Sequence, residues 1–314
     1  MNPAGEPVLL RPLSLGELFD RALTLYVRNI APFTLIALVL VVPLAIAQYF
    51  AGLHESSSFA QMIAQIQHPG SVPAQAVSPA QNAWTVVMVA LAVVLNAFSV
   101  AAIAVAVAGL YRGEPVDWRV AYAKALRRAQ AIVATLFAEI GLFVAAFFVG
   151  AIALTLAFVV AFLLVRTSPP LGVIAFAAAI AVAVAWFIAI VLCYLVFGFA
   201  LCALAIEERG AGYAIGSGFS RVFNRSELLR AVLVCLALVV IYAGFSVISL
   251  AVAGTLETMN LHIVDVIVSS LLSLVSTALL GVLLVVYYFD VRVRREGLDM
   301  QAQIESLHPA ASAP

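Results

Sequence analysis

Six long apolar stretches, joined by loops in which basic residues are alternately plentiful and absent, leave this chain few folds to choose from. The stretches cover roughly 31–50, 83–110, 130–165, 172–206, 231–254 and 266–289. Each is near or above the ~20 residues that cross a ~30 Å hydrocarbon core as a helix. Of the 16 Lys and Arg residues, only Arg166 lies outside one set of loops. Arg11, Arg21 and Arg28 precede the first stretch; Arg112, Arg119, Lys124, Arg127 and Arg128 follow the second. Arg209, Arg221, Arg225 and Arg230 follow the fourth, and Arg292, Arg294 and Arg295 the sixth. Basic loops stay cytoplasmic. The expectation is therefore an all-α, six-span integral membrane protein with both termini inside, and with connectors 51–82 and 255–262 outside.

Composition agrees with that class. The chain is 65% hydrophobic and 10% charged, with a mean hydropathy of +1.14, far from an ordinary soluble domain. Six spans consume most of its 314 residues, so we expect one membrane domain over 1–314 and no soluble domain of catalytic size. The polar N-terminus has no apolar core ending in a cleavage site, so a removable signal peptide is not expected. Net charge is zero, but the basic rim would meet anionic lipid headgroups, each contact being worth about 1 kcal/mol. Nucleic acid is a poor partner for charges spread over four short loops.

Three segments look related: 13–46, 116–150 and 210–244. Each begins with an amphipathic stretch carrying basic residues and then enters an odd-numbered span; an even-numbered span brings the chain back. Ala22, Ala125 and Gly218 fall at equivalent places, about a hundred residues apart. This suggests a short helix plus a transmembrane hairpin used three times. The alternative is that any hairpin entering from the basic side needs a basic lead-in, which would mimic a repeat. In 13–29 the expected apolar face is Leu13, Leu15, Leu18, Phe19, Ala22, Leu23 and Tyr26. In 116–128 it is Val116, Val120 and Ala123 with Trp118. Such helices would lie at the membrane interface. Ser14 with Glu17 reads as a capping box.

Stretch 130–165 would measure ~54 Å as a straight helix, and 172–206 is about as long. Either both are tilted and joined by a turn at 167–172, or each is two short spans. The midpoints near Gly150 and Trp186 carry no polar turn residues, and exposed backbone there would be costly, which favours six spans. Pro43 is expected to kink the first span.

RPLSLGELFDRALTLYVRN (11–29), AIEERGAGYAIGSGFSRVF (205–223) and YYFDVRVRREGLDM (287–300) resemble the membrane domain of membrane-anchored glycerophosphoryl diester phosphodiesterases. The resemblance covers nearly the whole chain and implies a six-span bacterial inner-membrane protein. In the fused enzymes a separate soluble barrel hydrolyses the phosphodiester with a His-Arg-Gly motif and acidic metal ligands. No His-Arg-Gly occurs here, so the resemblance carries over the membrane module and not the hydrolysis.

No catalytic, cofactor or metal site is expected. His54, His68, His262 and His308 lie in loops or the tail, and Cys193, Cys202 and Cys235 in apolar spans without ligand spacing. Two polar constellations remain. Glu139 is the acidic residue well inside a span, roughly 12 Å deep if that span starts near Ala131. Its expected partners are Thr135, one turn below, and Asn96 or Ser99 on the second span. An intramembrane ionisable group suggests a functional site, while a hydrogen-bonded Glu gluing helices is the plainer reading. The second constellation is a seam of Asp265, Ser269, Ser273 and Ser276 on the sixth span, facing Tyr242, Ser246 and Ser249 on the fifth. It reads as hydroxyl packing or as a hydrated cavity for a small polar ligand.

At the C-terminal end, Tyr287 and Tyr288 fit an aromatic belt. Arg292, Arg294 and Arg295 with Asp290 form a candidate docking or headgroup surface. The function expected from all this is a non-catalytic membrane module that binds lipid or organises another membrane protein. The alternative is a small transporter using Glu139 and the seam.

Overall fold

A computed structural model describes residues 11–51, 79–259 and 261–296. Among the described residues the chain forms nine helices: α1 Leu15–Arg28, α2 Ile30–Ala51, α3 Pro79–Tyr111, α4 Trp118–Arg127, α5 Ala129–Thr167, α6 Pro169–Ile206, α7 Ala211–Val222, α8 Leu228–Thr258 and α9 His262–Glu296. Six of them, α2, α3, α5, α6, α8 and α9, are long and apolar enough to cross a membrane. The protein is an all-α, multi-pass membrane protein.

The three short helices α1, α4 and α7 are separate from the spans they precede. Local chemistry sets their ends. Ser14 caps α1 in a full capping box, its hydroxyl accepting the Glu17 N–H while the Glu17 carboxylate accepts the Ser14 N–H. Asn29 stops α1, its backbone and side-chain N–H groups both reaching the Leu25 carbonyl. The Asp117 side chain caps α4 on the Arg119 N–H. Each short helix buries a small residue at the equivalent position expected from sequence: Ala22, Ala125 and Gly218. One turn earlier Leu18, Ala121 and Ala214 are buried as well. A shared register of this kind agrees with one motif used three times.

The apolar face expected for the second lead-in is corrected. Val120 is half exposed and Ala123 is exposed, while Ala121 and Ala125 face inward. Two alanines let α4 approach its neighbours closely, and a bulkier valine row would hold it off. In α1 the expected face is right except for Leu23, which is exposed.

The described residues form two compact units. The first holds α1 to α4, residues 205–207, and the chain from 237 through α9. Within it α9 packs on α1, α2 and α3, and α4 on α3 and α2. The Tyr122 hydroxyl ties α4 to α2 by donating to the Ile36 carbonyl at 2.7 Å. Residues 99–109 of α3 and 281–291 of α9 are buried at every position, so these segments are covered on all sides. Tyr287 and Tyr288 therefore sit in the interior, 1% and 0% exposed, and not in an interfacial belt. The last helix also runs on to Glu296, past the end expected at residue 289.

The second unit holds α5, α6, α7 and the first part of α8. The long stretches are continuous helices of 39 and 38 residues, each ~58 Å long. They reverse at Ser168 alone, with Pro169 opening α6, a tighter turn than 167–172; proline suits a first helical position because no donor is lost there. Gly150 and Trp186 lie against each other at mid-length. A Cβ on Gly150 would overlap the indole, whose N–H donates to the Ala146 carbonyl at 3.2 Å. The α2 helix continues through Pro43. Helix α3 begins at Pro79, inside the connector expected over 51–82; positions 52–78 and the tail 297–314 lie outside the described residues.

Candidate functional site

The first unit contains a partly open cavity of about 500 Å³, within the size range of ligand pockets. Its walls come from three helices. Leu40, Val41, Leu44 and Ala45 of α2 form an apolar side. Helix α8 adds Tyr242, Phe245, Ser246, Ser249, Leu250 and Ala253. Helix α9 adds Asp265, Ser269, Ser273 and Ser276, flanked by Ser270, Thr277, Val266 and Leu272. All seven residues of the seam expected from sequence thus line one cavity. The periodicity is the reason: i, i+4, i+8 and i+11 return to one helix face.

The polar lining is graded. Asp265, in the first turn of α9, is 7% exposed. Its Oδ1 accepts the Ser269 hydroxyl at 3.2 Å. Ser246 donates to the Tyr242 carbonyl at 2.9 Å and Ser276 to the Ser273 carbonyl at 3.1 Å, so both hydroxyls are occupied by their own helices. Ser249, Ser270, Ser273 and Thr277 make no side-chain hydrogen bond among the described residues. The lining carries one carboxylate and eight hydroxyls counting Tyr242, and no Lys, Arg or His. Toward the far end of α9 the continuous burial of 281–291 forms a packed floor.

Sequence reasoning missed the α2 wall, because an apolar face turned to a cavity and one turned to lipid carry the same side chains. Ser270 and Thr277 could have been found, since each adjoins a seam serine.

Glu139 stands in the second unit, half-buried, and makes no hydrogen bond or ion pair among the described residues. Thr135 is not its partner: that hydroxyl donates to the Ala131 carbonyl at 2.9 Å, the usual resting place of a helical threonine. Asn96 and Ser99 belong to the first unit. The Ser99 hydroxyl is buried without a partner at full hydrogen-bonding geometry, near the Tyr122 phenol.

The C-terminal residues are tied inward. Asp290 is 2% exposed; it accepts the Leu13 N–H at 2.7 Å and the Arg294 Nε–H at 3.1 Å. Arg294 also donates to the Leu13 carbonyl at 2.5 Å. Arg292 pairs with Glu207 at 3.6 Å, both largely buried, and the Tyr288 hydroxyl bonds the same carboxylate. A docking surface of Asp290 and Arg292 is therefore corrected to an internal clamp; Arg294 is partly exposed and Arg295 exposed.

No family model, curated protein or solved structure matches this chain.

Proposed function

We propose that this protein is a non-catalytic membrane module that binds a lipid in the cavity between α2, α8 and α9. One observation carries the reading: the cavity is amphiphilic, with an aliphatic wall on α2 opposite a carboxylate and a column of hydroxyls on α8 and α9. Asp265 lies ~5 Å along α9 from its start and Ser276 ~17 Å further in, the depths of a headgroup and an upper acyl chain. About 500 Å³ suits part of one lipid molecule. The described lining offers hydroxyls and a single carboxylate, Asp265, which accepts from Ser269. A transport role would need a polar path past the segment of α9 that is buried at every position from 281 to 291.

The distribution of basic residues supports an N-in, C-in orientation, with the cavity on the external side. The resemblance of 11–29, 205–223 and 287–300 to the phosphodiesterase membrane domain supports a bacterial inner membrane. Cysteines at Met259 and Glu114, in a chain freed of its own three, should label from opposite faces; labelling from one face sinks the orientation.

Native mass spectrometry of the chain released in mild detergent tests the binding. Wild type should retain lipid, and Ser273→Phe, which fills the cavity, should lose it. Val247→Phe, on an exposed face of α8 outside the cavity, should behave as wild type. Equal lipid retention in all three would remove the proposal.

A further inference from the structure

We infer that the ligand of this cavity presents an ammonium group to Asp265. The inference rests on the cavity being a lipid site, and it adds the chemical class of the headgroup.

Asp265 is more than nine-tenths buried and lines the cavity. Two features of its position suit it to a cationic partner. It stands in the first turn of α9, where the helix dipole favours negative charge. The Ser269 hydroxyl donates to Oδ1 at 3.2 Å, leaving Oδ2 without a partner among the described residues. A carboxylate this deeply buried needs a counter-charge or further donors. Neither reaches Oδ2: the lining has no cationic side chain, and beyond Ser269 no side-chain donor or ion pair meets the Asp265 carboxylate among the described residues.

The surrounding acceptors define what would fit. Asp265 Oδ2 and the hydroxyl oxygens of Ser269 and Ser270 on the same stretch of α9 are acceptors for several N–H donors, which an ammonium carries. A bare metal ion is a worse match, because a single carboxylate serves it and no cluster of three His, Cys, Asp or Glu residues stands here among the described residues. The α2 wall requires an organic ligand. An anionic headgroup would meet the carboxylate with like charge and is selected against. His262 opens the same helix three positions before Asp265 and is the chain's own candidate cation, so it enters the test.

An ammonium can arrive on a lipid or on a soluble amine. The full chain in detergent is titrated, with native mass spectrometry as readout, against phosphatidylethanolamine and phosphatidylglycerol of matched acyl chains. Free ethanolamine is then added as competitor. Wild type should prefer phosphatidylethanolamine by about tenfold or more, the scale of one charge-assisted hydrogen bond. Asp265→Asn should erase the preference, while His262→Gln should keep it. Displacement by millimolar ethanolamine would identify a soluble amine as the source; resistance to it identifies the lipid, and either outcome supports the ammonium. Should Asp265→Asn fail to accumulate, Ser269→Ala removes only the hydroxyl that orients the carboxylate and should give a smaller loss of preference. Unchanged preference in Asp265→Asn or Ser269→Ala, or its loss in His262→Gln, overturns the inference. If Ser273→Phe still abolishes binding of both lipids, the lipid site itself stands; if Ser273→Phe binds both, that reading falls too.

Discussion

The Asp290 carboxylate accepts the backbone N–H of Leu13 at 2.7 Å across 277 positions of sequence. Arg294, one turn further along α9, donates to the carbonyl of the same leucine and to Asp290 itself. The start of α1 is thereby clamped to the last helix. Removing the buried Asp290 carboxylate leaves the Leu13 N–H without its acceptor, at a cost of about 1–3 kcal/mol. Asp290→Ala should lower the unfolding temperature in detergent markedly. Asp290→Asn, which can still accept from Leu13, should lower it less. If both variants melt with wild type, the clamp does not hold the fold.

Gly218 explains a glycine in mid-helix. A Cβ there would meet the Val196 carbonyl oxygen of α6 at 2.5 Å, so α7 could not pack as closely. Gly218→Ala should destabilise by about 1–3 kcal/mol. Gly216, two residues earlier, has nothing within 4 Å of the same position. Gly216→Ala should be neutral or stabilising by up to about 1 kcal/mol through helix propensity. Equal effects at the two sites would contradict the close approach.

The first helix should be sensitive to acid. The Glu17 carboxyl is pulled down to about 2 from an ordinary 4.5, chiefly by the Ser14 backbone N–H and then by Arg11 at 2.5 Å. A depressed folded-state value means that the stabilisation is fully present above the unfolded value of 4.5 and is lost as pH falls from there toward 2. Wild type should exceed Glu17→Gln in stability at pH 6, with the gap closing as pH falls to 3. A gap that stays constant over that range would show that the carboxylate's charge is irrelevant to the cap.

Much of this architecture was legible because the signals are collective. Six apolar stretches, a capping box at Ser14 and an i, i+4 row of hydroxyls each involve several residues obeying one geometry. The Ala22, Ala125 and Gly218 correspondence was legible for the same reason. What stayed hidden depended on which neighbour a side chain meets. Val120 and Ala121 are both apolar, and only packing decides that the alanine goes inside. Tyr288 and Arg292 look like membrane-surface residues until Glu207, more than eighty positions away, is found beside them. The α2 wall of the cavity was invisible because its residues have no polar mark.

The central claim is that the cavity holds a lipid, and a density map of the full chain in nanodiscs of native lipid tests it most directly. The account predicts an elongated density along Leu40 and Leu44, ending in a headgroup within hydrogen-bonding distance of Asp265 and Ser269. A cavity closed by its own side chains, or one holding only water at a resolution where lipid on the outer helix faces is visible, would contradict it.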